Sequence, residues 1–229
     1  MPRDVGVVVV AAGRGTRLGS RGLKQYQPVA GVPMVLRALR PFVSHPEVAY
    51  VVLVLPADEA ARPPAFLGSA GGPLAIVAGG AERADSVAAG LAALEPACTT
   101  VLVHDAARPL VERRVIDAVI GHARAGQGAV AAIPLSDTLK EADPHDHTRV
   151  GRTVPRDGLW RAQTPQGFPR AVLERAHAAR GAGVAATDDA ALVERLGVPV
   201  VLVPDSPRNL KITTADDLLI ADLLAAREA

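Results

Sequence analysis

Cysteine is almost absent from this chain. Among 229 residues Cys98 stands alone, which rules out an internal disulfide and leaves no thiolate cluster for a metal. Such a thiol is expected in a small core or surface niche. Aromatics make up 3% of the chain, and no apolar run reaches the roughly 18 residues that a membrane-spanning helix needs, so no membrane partner is expected. The opening Met1-Pro2-Arg3-Asp4 lacks the charged leader and apolar stretch of a secretory signal, and a cytoplasmic location is the expectation. Net charge is +1, far from the broad basic field of a nucleic-acid binder. Any anionic ligand must be held by a local cluster. Lysine is scarce too: of 25 basic residues, only Lys24, Lys140 and Lys211 are lysine and the other 22 are arginine. Either three lysines survive by chance, or a compact, mobile ammonium is wanted at those places instead of a planar guanidinium.

What is present is a 49% apolar chain long enough to bury about 70% of its unfolded surface, which predicts one domain over residues 1–229. Val5 to Val10, Ala49 to Leu55, Leu74 to Val77, Thr100 to Val103, Ala129 to Ile133 and Val198 to Val203 are short aliphatic runs bounded by Gly, Pro or charge, the pattern of buried strands. Between or after them, helical spacing covers Met34 to Val43, Glu82 to Leu94, Val111 to Ala123, Pro169 to Arg180, Asp188 to Leu196 with Thr187 as cap, and Ala215 to Arg227 capped by Thr214. Strands alternating with helices predict an α/β class, a Rossmann-like three-layer sandwich on a mainly parallel sheet. Its ligand loops should follow the carboxyl ends of the strands, after Val10, Val77, Val103 and Ile133. Ser136 to Pro155 breaks the alternation and predicts a protruding β-hairpin arm, too marginal to stand in water without packing on a partner subunit.

The loop after the first strand, Ala11-Ala12-Gly13-Arg14-Gly15-Thr16-Arg17-Leu18-Gly19 with Lys24 beyond it, lets backbone approach a ligand, aims amides at phosphate oxygens and adds two cations. It satisfies neither familiar phosphate motif. No Gly-Lys-Ser/Thr closes a Walker A turn, and Gly19 falls one residue too late for the dinucleotide fingerprint. His104-Asp105-Ala106-Ala107-Arg108-Pro109 sits at the ligand edge of a later strand. Asp105 there suits Mg²⁺ or a hydroxyl, and equally a helix cap or turn. His104 suits packing better than base catalysis, and His145 with His147 lack a third ligand at metal spacing.

Together these segments resemble the 2-C-methyl-D-erythritol 4-phosphate cytidylyltransferase family over nearly the whole chain. The resemblance rests on residues 11–17, Leu23-Lys24-Gln25-Tyr26, residues 79–87, residues 104–109, Asp137-Thr138-Leu139-Lys140, Thr153-Val154-Pro155-Arg156, Gln163-Thr164-Pro165-Gln166 and Asn209-Leu210-Lys211-Ile212-Thr213. All three lysines fall inside these motifs. The resemblance implies that Arg17 and Lys24 stabilise the α-phosphate of CTP, that Ala11, Ala12, Gly13, Gly15, Gly80 and Ser86 line the nucleotide site, and that Arg156 and Lys211 hold the acceptor phosphate. It also implies acceptor-site roles for Asp105, Arg108, Thr164 and Thr187, an arm residue Thr138 that reaches a neighbouring subunit's site, and a homodimer joined by the arm. Mg²⁺ is the implied cofactor, on the CTP phosphates and water with Asp105 as a candidate ligand. Val10 and Leu23 stand where the family often has proline, which bears on loop stiffness and not on charge. Two other readings share the nucleotide motifs: a cytidylyltransferase for ribitol 5-phosphate or another sugar phosphate, and a nucleotide-binding regulatory module without catalysis.

Overall fold

The computed structural model describes residues 2–13, 23–181 and 187–227. Its frame is a seven-stranded sheet built from β1 (Val5–Val10), β4 (Val48–Leu55), β5 (Leu74–Ala78), β6 (Thr100–Asp105), β7 (Gly128–Pro134), β10 (Trp160–Pro169) and β11 (Val200–Pro204), in the order β11-β7-β10-β6-β1-β4-β5. β1 pairs in parallel with β4 and β6, β4 with β5, and β11 with β7. β10 runs antiparallel to both of its neighbours. That strand is absent from the sequence expectation, because Gln163, Thr164, Pro165 and Gln166 break its apolar pattern, and its pairing with β7 does jump from Ala162 to Gln166.

Both faces of the sheet are covered, which is why β1 is a nearly continuous valine run and not an alternating one. Val5, Val7 and Val9 point to one core layer, with α1 (Met34–Val43) and α4 (Arg113–Arg124) packed over it. Val8 points to the other, under α3 (Arg83–Ala92), α5 (Arg170–Ala178) and α6 (Asp189–Glu194). Gly6 takes its place in the run because a Cβ there would come within 2.8 Å of Leu94 Cδ2. A third cluster joins Met34, Leu110 and Ile212 to Ala221 and Ala225 of α7 (Ala215–Ala226), which lies against the short hairpin of β2 (Pro28–Val29) and β3 (Val32–Pro33). α2 (Ala57–Ala61) is a short helix after β4, and no described helix is long and apolar enough to cross a membrane.

The helix ends follow local rules with one correction. α7 starts in a capping box: Thr214 Oγ1 accepts the Asp217 amide at 3.2 Å while the Asp217 carboxylate accepts the Thr214 amide at 2.8 Å. α6, in contrast, is capped by Asp188, whose carboxylate accepts the Ala191 amide at 2.9 Å, and not by Thr187. A carboxylate one residue nearer the helix reaches the orphan amide that Thr187 cannot. The arm is a separate two-stranded antiparallel sheet of β8 (Leu139–Ala142) and β9 (Val150–Val154).

Candidate active site

The parallel strands β6, β1, β4 and β5 lie next to one another in that order, and a cleft opens over the carboxyl ends of β6, β1 and β5. Its walls include Ala11, Ala12 and Gly13 after β1, Gly80, Arg83 and Ser86 after β5, and Asp105, the last residue of β6, with Ala106 and Ala107 beyond it, while Lys24 and Lys211 approach from more distant segments. Gly15 and Arg17 lie outside the described residues. Small residues are required on the β1–β5 side. A Cβ on Gly79 would meet Ala12 Cβ at 2.6 Å and Ser86 Oγ at 2.7 Å, and one on Gly80 would meet Asp85 Cβ at 2.3 Å. Ser86, only 2% exposed, accepts the Gly80 amide at 3.2 Å and so fixes that turn.

Each lysine is set by its neighbours. Lys24 opens a 3-10 turn, Lys24–Tyr26, whose Tyr26 hydroxyl donates to Glu59 Oε2 at 2.8 Å and whose ring stacks edge-on against Phe66. Lys211 lies between two fully buried anchors. Asn209 donates from Nδ2 to the Thr164 carbonyl at 2.8 Å, and the Ile212 amide donates to the Ala107 carbonyl at 2.9 Å. The Lys211 ammonium then reaches Asp105 Oδ2 at 2.7 Å.

Asp105 is the electrostatic centre of the cleft. Its other oxygen, Oδ1, accepts from Arg83 Nε at 3.3 Å. Burial by itself would push the carboxyl up, yet the Arg83 and Lys211 cations outweigh it and hold the group well below the usual carboxylate range. Both oxygens therefore carry cationic partners, and no group of three or more His, Cys, Asp or Glu that could hold a metal exists among the described residues. Asp105 is thus the centre of a salt-bridge hub, and a Mg²⁺ held by one carboxylate together with substrate phosphates would have to share it with Arg83 and Lys211.

The remaining expected residues are placed less directly. Arg108, 9% exposed, donates from Nη1 to the Asn209 carbonyl at 2.7 Å, which tethers the segment carrying Lys211, and it is not among the described residues lining the cleft. Thr164 is buried as well. Its hydroxyl accepts the Asp105 amide at 3.0 Å and meets His104 Nδ1 at 3.0 Å. His104 Nε2 lies 3.0 Å from the Arg108 carbonyl, an acceptor only, so Nε2 carries the proton and Nδ1 accepts from Thr164. Burial pushes this imidazole down to about 4, against the smaller opposing pull of the Arg108 carbonyl and Asp105. His104 is thus a neutral strut packed 4.9 Å from Phe42. Thr187 is exposed at the approach to α6, and Thr138 and Arg156 are exposed on the arm and its base, where Arg156 Nη1 donates to the Ser136 carbonyl. None of these three lines the cleft of its own chain.

Arg83 is a charged cleft residue without a local signal in the sequence. It lies in the segment Glu82-Arg83-Ala84-Asp85, and among 22 arginines nothing local distinguishes it. Its partners, Asp105 and Asp189, come from distant parts of the chain.

Comparison with known proteins agrees over the full length. The family model described as 2-C-methyl-D-erythritol 4-phosphate cytidylyltransferase matches residues 5–227. The chain is 43% identical over 228 residues to the 2-C-methyl-D-erythritol 4-phosphate cytidylyltransferase of Frankia casuarinae, covering 97% of this chain and 82% of that one. It is 43% identical over 221 residues to the Salinibacter ruber protein of the same name, covering 95% and 91%. The crystal structure of 2-C-methyl-D-erythritol 4-phosphate cytidylyltransferase from Thermus thermophilus superposes with a TM-score of 0.81 at 38% identity, over 97% of this chain and 99% of that one. The 4-diphosphocytidyl-2C-methyl-D-erythritol synthase of Anaerococcus prevotii gives 0.83 at 27% identity, over 98% and 97%. With the family model, the related sequences and the solved structures in agreement, the chain belongs to the 2-C-methyl-D-erythritol 4-phosphate cytidylyltransferase family.

Proposed function

We propose that this chain transfers the cytidylyl group of CTP to 2-C-methyl-D-erythritol 4-phosphate, giving 4-diphosphocytidyl-2-C-methyl-D-erythritol and pyrophosphate. The observation that carries the reading is that Lys24 and Lys211, from opposite ends of the sequence, border one cleft together with the glycine turn at Gly79 and Gly80. An oxygen of the acceptor phosphate attacks the α-phosphorus of CTP. The new P–O bond forms as the bond to the β-phosphate oxygen breaks, and pyrophosphate leaves with that electron pair. No general base is needed, because a phosphate monoester with a second pKa of about 6 is largely dianionic at neutral pH. What the reaction does need is charge compensation, since two anions must meet. Lys24, with Arg17, serves the α-phosphate, and Lys211, with Arg156, serves the acceptor.

Magnesium belongs to this proposal as a counter-ion that arrives on the triphosphate, where it would neutralise phosphate charge. Asp105, already paired on both oxygens, argues against a resident site. The arm belongs to it as a dimerisation element of a cytoplasmic enzyme. Val150 is 61% exposed and Leu139 37% exposed on this isolated sheet, apolar surface that a second subunit would cover and that would carry Thr138 and Arg156 to the partner's cleft. Sedimentation of wild type and Val150→Asp tests that element, and an unchanged monomeric wild type would remove it.

A pyrophosphate-release assay crossing the four nucleoside triphosphates with methylerythritol and ribitol phosphates tests the reaction. The expected result is turnover confined to CTP with methylerythritol phosphate. Preference for ribitol phosphate would transfer the reading to that acceptor, and tight CTP binding without any turnover would turn it into a regulatory one.

A further inference from the structure

Arg83 enters the cleft from the first turn of α3, and it is gripped on two sides. Nη1 donates to Asp189 Oδ2 at 2.7 Å and Nε donates to Asp105 Oδ1 at 3.3 Å. Nη2 has no hydrogen-bond partner among the described residues, and the side chain remains 26% exposed where it borders the cleft. A guanidinium is planar, so fixing two of its edges fixes the direction of the third. Burial opposes the charge of Arg83, but the Asp189 and Asp105 carboxylates more than restore it.

Asp189 is not part of the cleft wall. Its side chain is 1% exposed, and its second oxygen accepts from His177 Nε2 at 2.9 Å. Its amide donates to Gln166 Oε1 at 3.1 Å, which ties α6 to the central strand β10. A carboxylate buried this deeply is costly unless fully paired, and a well-packed apolar residue often serves folding as well. The clamp also joins two parts of the site. Arg83 shares its turn with Gly80 and Ser86, Asp105 leads to Lys211, and Asp189 follows Thr187 by two residues.

We infer that Arg83 is a further phosphate-positioning residue at the acceptor end of the cleft, and that Asp189, backed by His177, is the buried residue that holds it in place. The ligand it recognises is the phosphate monoester of the acceptor. Beside Lys211, a mobile point charge, Arg83 supplies an oriented N–H donor whose ordering is complete before substrate arrives. The inference rests on the cytidylyl-transfer reading above.

The test is steady-state kinetics of Arg83→Lys and Asp189→Asn, together with calorimetry of CTP alone and thermal melting. Arg83→Lys keeps the charge but cannot span both carboxylates and still present a planar donor, so its KM for methylerythritol phosphate should rise about tenfold or more, with CTP affinity within about twofold of wild type. Asp189→Asn should show the same selective rise. The double variant should be no worse than Arg83→Lys alone, because Asp189 acts through Arg83. An unchanged acceptor KM in Arg83→Lys, an equal loss of CTP affinity, or fully additive effects would overturn the inference. Should Asp189→Asn fail to fold, the acceptor KM of Arg83→Lys decides by itself. A wild type inactive with CTP and methylerythritol phosphate overturns the parent reading, and this one with it. An active wild type matched by Arg83→Lys overturns this one only.

Discussion

Lys211 Nζ lies 2.7 Å from Asp105 Oδ2, and this contact joins the segment after β11 to the end of β6 across the acceptor side of the cleft. Because Arg83 holds the other oxygen of Asp105, one carboxylate keeps two cations apart and oriented. Asp105→Asn removes the compensating charge and leaves Arg83 and Lys211 to repel each other. We expect it to lower the unfolding free energy by about 2 kcal/mol, less than a fully buried pair would lose because Lys211 is half-exposed. It should also raise the acceptor KM. Urea unfolding and the pyrophosphate assay measure the two effects, and an unchanged KM would contradict the hub.

Lys24 borders the cleft from a 3-10 turn. Lys24→Ala is expected to lower kcat by about 10² or more, the scale of one preorganised charge-stabilising contact. Turnover within a few-fold of wild type would remove Lys24 from the α-phosphate.

Gly79→Ala probes the nucleotide side without touching a charge. The added methyl would lie 2.6 Å from Ala12 Cβ and 2.7 Å from Ser86 Oγ, and overpacking of this kind costs about 1–3 kcal/mol. Both contacts lie on the nucleotide side of the cleft, so CTP affinity should fall about tenfold or more while the far-UV circular dichroism is retained. Calorimetry with CTP alone reads the loss.

Thr164→Val keeps the shape of the side chain and deletes its hydroxyl. The Asp105 amide and His104 Nδ1 both lose their partner inside the protein, for an expected cost of about 1–3 kcal/mol in urea unfolding. Thr164→Ser should recover most of it. Equal destabilisation by both variants would mean that the methyl group, and not the hydroxyl, matters.

Acid should weaken the fold in two stages. His104 is neutral in the folded state, with its value pushed down to about 4, whereas in the unfolded chain a histidine titrates near 6.5. Between those two values the unfolded state binds the extra proton, so stability falls as pH falls through this window, by about 3 kcal/mol in all. Asp105 and Asp189 are held below the ordinary carboxylate range: burial opposes their charge, but Arg83 and Lys211 outweigh it at Asp105, and the His177 hydrogen bond together with Arg83 outweighs it at Asp189. Their contribution is present above about pH 4 and disappears only at still lower pH. Urea unfolding from pH 8 to pH 3 should show the first decline in wild type and a shallower one in His104→Gln.

Much of the fold is visible in one dimension. The valine run of β1, the aliphatic runs of β4 and β6, and the Thr214 and Asp217 box at α7 are local patterns, set by backbone propensity and by which side chains can meet water. β10 is the exception. A central antiparallel strand that carries Gln163, Thr164 and Gln166 is stable only because those polar groups find Asn209, His104 and Asp188 from elsewhere in the chain.

The candidate site divides along the same line. By itself the sequence marked the glycine turns, since a phosphate-binding loop needs small residues at short range, and the family resemblance singled out Lys24 and Lys211, which border the cleft, while Lys140 lies on the arm beside Thr153. It equally marked Arg108 and Thr164, but it could not say that both are buried struts, one tethering Asn209 and the other bridging Asp105 to His104. Only the tertiary structure decided that Arg83, one arginine among 22, is clamped between Asp105 and Asp189 in the same cleft. Charge pairing depends on distances across the fold, and residues 22 and 106 positions apart in the chain carry no local signature of becoming neighbours.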